Sequence, residues 1–188
     1  MSIYRFNNYN DWLNKDILTR WNLQELSLHE TLLNLSAITL VVQTCSELTS
    51  IKLDSSTVDD AVVMAVAPHC PKLEQLELPV HFEITYNSFL VLSDYKLLLQ
   101  ELSIHFIPKI PTADIARRCS HALSCIHQLN AYNMYGKDQH ASLFLSYMTR
   151  LTSVHLISPF DSYIPLPTQY CNMLTTIHIH GSYPVTDI

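Results

Sequence analysis

Three apolar residues in the spacing L-x-x-L-x-L return along this chain at almost constant steps. The clearest copy is Leu73-Glu74-Gln75-Leu76-Glu77-Leu78. Copies with the same spacing start at Leu23, Leu48, Leu99, Ile126, Leu151 and Leu174, so successive starts lie 25, 25, 26, 27, 25 and 23 residues apart. A unit this short cannot bury its own apolar side. It is stable only when copies stack on one another, which makes the chain a quasi-one-dimensional solenoid.

Alternate side chains of a strand point to opposite faces. In each copy the fourth and sixth residues therefore point inward, and the third, fifth and seventh outward. Period and spacing together predict an α/β leucine-rich repeat solenoid, with a curved parallel sheet on the concave side and helices on the convex side. About seven repeats, starting near 23, 48, 73, 99, 126, 151 and 174, fill residues 23–188, the last one incomplete. One interior row should hold Leu26, Ile51, Leu76, Leu102, Leu129, Val154 and Ile177. Residues 1–22 read as an N-terminal helical cap or the end of a preceding repeat, because Trp12, Leu13, Ile17, Leu18 and Trp21 fall near helical spacing from residue 11 onward.

Return arms are expected to be helical at 36–45, 59–67, 87–95, 112–120 and 139–147, the first capped by Ser36. Thr57 and Asp60 stand at capping-box spacing. Arg117 and Arg118 are expected in the last turn of the fourth helix, where the dipole favours cations. Pro159, Pro165 and Pro167 exclude a normal helix from the sixth repeat and predict an extended or 3₁₀ arm. The seventh repeat should expose core side chains at its open end.

Composition narrows the function classes. Of 188 residues, 48% are hydrophobic and 15% charged, the balance of a folded chain. Only 2 residues are Gly, which leaves no glycine-rich phosphate loop. A formal net charge of −6 lacks the basic face that a nucleic-acid backbone requires. The start has no secretory apolar core, and no run of about 18 apolar residues would span a membrane. The expectation is a soluble intracellular protein of cytoplasm or nucleus, with no nucleic-acid or membrane partner. The five cysteines include Cys45, Cys70 and Cys171, each three residues before a repeat start. That shared phase marks small core side chains, as free thiols rather than a disulfide framework.

The outward positions line up in columns that end on a mixed polar face. The residues expected to contact a partner there are Lys52, Asp54, Glu77, Glu101, His105, Asn130, Tyr132, His155, His178 and His180. Mixed polarity with an aromatic suits protein recognition. His178 and His180 share a strand face beside His155, and two imidazoles could reach one Zn²⁺. A stable site needs three or four ligands with supporting hydrogen bonds, so no metal and no cofactor is assigned. Glu77 and Glu101 alternate with Lys52 and Ser103 and do not form an acid–base pair. No nucleophile elbow, zincin or Walker motif is present, and no enzyme activity is expected.

Val58-Asp59-Asp60, followed by Ala67-Pro68-His69-Cys70-Pro71-Lys72-Leu73 and the strand motif, resembles the cysteine-containing class of leucine-rich repeats. In that class the helix arm ends in C-P-x-L before L-x-x-L-x-L. The chain is similar over about residues 20–188, most closely at 45–80, to the repeat region of F-box/leucine-rich-repeat proteins, the substrate receptors of cullin-based ubiquitin ligases. The resemblance implies a protein target on the concave face, and a Skp1-like adaptor bound only through a segment not in this chain, since residues 1–22 cannot contain an F-box. The alternative is a free-standing repeat scaffold in intracellular signalling with no ubiquitin role.

Overall fold

A computed structural model of the chain describes residues 2–4, 20, 22–29, 35–54, 59–78, 84–104, 110–132, 139–157 and 173–180. Among the described residues, eight strands lie in one all-parallel sheet in chain order. They are β1 (Ser2–Tyr4), β2 (Glu25–His29), β3 (Ser50–Asp54), β4 (Gln75–Glu77), β5 (Glu101–Ile104), β6 (Gln128–Tyr132), β7 (Ser153–Ile157) and β8 (Thr176–His180). Parallel neighbours need a crossover to return the chain to its starting edge. From β2 to β7 each crossover carries a helix: α1 (Leu35–Thr44), α2 (Asp60–Val66), α3 (Tyr86–Asp94), α4 (Ala113–Cys125) and α5 (Gln139–Ser146). Among the described residues no helix is long and apolar enough to cross a membrane.

The register follows the repeat. Leu26, Ile51, Leu76, Leu102, Leu129, Val154 and Ile177 pair one after another across the sheet. The first six are at most 2% exposed, whereas Ile177 is 48% exposed. A second row of Leu28, Leu53, Leu78, Ile104, Ala131 and Leu156 is also buried, as are the opening residues Leu23, Leu48, Leu73, Leu99, Ile126 and Leu151. All of these join the buried helix residues in one core.

A backbone device pins each strand to the next. The carbonyl of the second motif residue accepts two successive N–H groups from the following repeat. Gln24 O takes Thr49 and Ser50 at 2.8 and 3.1 Å, and Thr49 O takes Glu74 and Gln75 at 2.8 and 3.0 Å. The pattern recurs from Glu74, Gln100, His127 and Thr152. It satisfies the polar backbone where each strand begins, and it needs no particular side chain.

Several local expectations change. β1 is a strand where the sequence reading placed none; Ile3 sits opposite Leu28, 25 residues on, without a leucine motif to announce it. Residues 11–19 of the helix expected from 11 to 20 and the arm at 158–172 fall outside the described residues, as do Thr57 and Cys171, and Arg20 lies in a turn. Ser36 is the second residue of α1, not its cap. Asp59 caps α2, accepting the Ala61 N–H at 2.9 Å. Asp60 is the first residue of the helix. Its carboxylate crosses to the next repeat and accepts the Thr85 N–H at 2.9 Å, together with the Thr85 and Ser88 hydroxyls. The fourth helix continues to Cys125, because Ala122 and Leu123 extend the apolar stripe of Ala116 and Cys119, and all four are fully buried. Arg117 and Arg118 therefore lie mid-helix, with Arg117 3.5 Å from Asp114.

The described cysteines, Cys45, Cys70, Cys119 and Cys125, are buried free thiols. Burial, with a smaller contribution from Cys45, pushes the Cys70 thiol up to about 12. Burial raises Cys119 to about 11, with Arg118 opposing the rise and Asp94 adding to it. These groups pack and do not ionise near neutrality.

Candidate functional site

The helices cover one side of the sheet, and the other side is the candidate site. Its middle column runs Ser27, Lys52, Glu77, Ser103, Asn130, His155 and His178 by direct strand pairing. The column on one side runs Glu25, Ser50, Gln75, Glu101, Gln128, Ser153 and Thr176. On the other side, His29 pairs with Asp54, and Tyr132, Ile157 and His180 follow one another. Ser27, Ser50 and Ser103 are buried and give the face a small, polar floor. The side chain of Asp54, and His105 altogether, lie outside the described residues.

Two groups form on this surface. In the centre, Glu101 accepts the Gln128 amide at 3.1 Å and the Asn130 amide at 3.5 Å, and Asn130 also donates to Ser103 Oγ at 2.9 Å. Lys52, Gln75, Leu76, Glu77, Glu101 and Ser103 line a recess of about 10 Å³. That is room for no more than one water, far below the roughly 300–1,000 Å³ of a small-molecule pocket. Tyr132 belongs to the same neighbourhood: burial, and then the Glu77 charge, raise its phenol above the ordinary value.

At the C-terminal end the three histidines meet. The His155 ring lies 5.6 Å from His178, edge-on, and 5.1 Å from His180, tilted. His155 is half-buried as a residue, but its Nε2 atom is shut off from solvent and has no hydrogen-bond partner among the described residues. Desolvation, and then His180 and His178, hold its imidazole below the usual 6.5. His178 and His180 are exposed. Among the described residues no group of three His, Cys, Asp or Glu side chains is arranged to hold a metal ion.

The structure thus joins Glu101 to Asn130, sets Lys52 beside Glu77, and gathers the histidines. It separates the acidic centre from the histidine end by the whole of β6. Ser103 and Gln128 complete the central network and Gln75 lines the recess; none of the three is among the residues expected to contact a partner. Their signal was positional: each occupies an outward column beside a charged residue.

Parallel strands in chain order, helical return arms and a continuous aliphatic row define the class: this is a leucine-rich repeat solenoid. Comparison with solved structures agrees on the fold. A chain in the structure of the Toll–Spatzle complex, a molecular hub in Drosophila development and innate immunity, superposes with a TM-score of 0.50 at 13% identity. The match covers 88% of this chain and 24% of that one, so this chain spans about a quarter of its length. No protein-family model and no curated protein matches the sequence.

Proposed function

We propose that this solenoid is a protein-recognition domain that binds its target on the helix-free face of the sheet. The observation that carries the reading is the unbroken register of outward columns, which turns seven short strands into one mixed polar surface. A shallow polar surface with a half-buried tyrosine suits a folded partner better than a small ligand. The domain performs no chemistry of its own in this reading, and it works inside the cell.

More specifically, the domain is the substrate-recognition part of an SCF-type ubiquitin ligase receptor. Support comes from the C-P-x-L phrase at Cys70-Pro71-Lys72-Leu73, whose thiol and leucine are both buried where the stacked core needs them. The Skp1-like adaptor binds through a segment not in this chain. Co-purification of the full gene product with a Skp1-like adaptor and a cullin is the expected result. A full product that recruits neither overturns the ligase role and leaves the second reading, a free-standing scaffold. Binding itself is tested by Lys52→Glu with Glu101→Lys, which reverses charge in the centre of the face. A target bound there should lose at least about tenfold in affinity, the scale of about 1.4 kcal/mol.

A further inference from the structure

We propose that His155, His178 and His180 form a proton-gated clamp for an acidic segment of a partner polypeptide. The proposal rests on the helix-free face being a binding surface, and it names what that end of the face binds and when.

Strand pairing sets His155 directly beside His178, and the alternation of β8 brings His180 to the same side. The three imidazoles lie together, with the His178 and His180 ring centres 5.6 and 5.1 Å from that of His155. Imidazole is the side chain whose ordinary titration falls in the physiological range.

The corner has no counter-ion of its own among the described residues. The neighbouring strand β6 turns Gln128, Asn130 and Tyr132 toward this face, none of them a carboxylate. The first carboxylate along the columns is Glu101 on β5, two strands or about 10 Å away. It already accepts both β6 amides. The helices pack against the opposite side of the sheet.

Crowded imidazolium groups without an anion repel one another, and a bound carboxylate removes that cost. A carboxylate would meet the exposed His178 and His180 rings, whose centres lie 5.6 and 5.1 Å from that of His155. Binding then draws protons onto the triad, so affinity rises as pH falls. A single carboxylate cannot hold three imidazoles in register, and an acidic stretch of polypeptide can.

The probe is an octapeptide of glutamate with blocked ends, titrated into the intact protein while histidine ring signals are followed by NMR. Affinity should be about tenfold tighter near pH 5.5 than near pH 7.5, the gain that one imidazole shifted by about one unit supplies. The His155 signal should titrate at higher pH with peptide than without. His178→Gln with His180→Gln, both at exposed positions, should abolish the pH dependence, and free glutamate at equal carboxylate concentration should not compete. Peptide binding that is flat with pH, or absent at every pH, overturns the clamp while leaving the wider binding face untouched. Peptide binding indifferent both to the double substitution and to Lys52→Glu overturns the clamp and counts against the helix-free face itself.

Discussion

Asp60 ties two repeats together through one carboxylate. It accepts from the Thr85 backbone at 2.9 Å and from the hydroxyls of Thr85 and Ser88, and Ser88 is fully buried. Asp60→Ala removes a charged acceptor and strands a buried hydroxyl. The expected cost is about 2–3 kcal/mol in urea denaturation, with Asp60→Asn costing less because one acceptor oxygen survives. A loss below about 0.5 kcal/mol would show that water replaces the carboxylate. His155 gives a pH signature. Its folded-state value lies below 6.5, so protonation favours the unfolded chain. The stability it contributes is complete above pH 6.5 and is lost as pH falls through the lowered folded value. His155→Gln should flatten stability between pH 7 and the lowered value, and an unchanged slope would contradict the assignment. Cys70, pushed up to about 12, should react with a thiol reagent at pH 8 only as fast as the surrounding repeats open.

Among the elements, α4 is the informative one. It stands between α3 and α5 in the stack, and on its buried face the small side chains of Ala116, Cys119 and Ala122 accompany Leu123 and Cys125. That economy of volume leaves space for Phe89 of α3 and Phe144 of α5 to meet edge-on, at 5.1 Å and 80°. The two rings link repeats that are not neighbours in the chain. Phe89→Ala should cost about 3–5 kcal/mol, and a double-mutant cycle with Phe144→Ala should return a coupling of about 0.5–1.5 kcal/mol. Additive losses would mean that the rings fill separate spaces. The helix α2 makes the complementary point. Three of its seven residues are buried valines, poor helix formers in isolation, so packing maintains it rather than intrinsic propensity.

At the scale of the whole molecule, each strand is stabilised by the strands beside it, and stability should fall where burial of the interior row falls. The row that is at most 2% exposed from Leu26 to Val154 ends on Ile177, which is 48% exposed. Hydrogen exchange should therefore protect β4, β5 and β6 most and β8 least, and β8 amides as slow as those of β5 would refute this. The sequence by itself determined the repeat, the parallel register, the interior row and the outward columns. All of these follow from a local rule, apolar spacing at a fixed period, that reads the same in one dimension as in three. Only the tertiary structure decided that Ser2–Tyr4 adds a strand, that Asp60 serves the next helix rather than its own, that α4 runs on to Cys125, and that the Nε2 atom of His155 loses access to water. Those outcomes depend on which side chains meet across neighbouring turns of the solenoid. Such meetings are set by volume and by unsatisfied polar atoms in the stacked core, and no spacing along the chain encodes them.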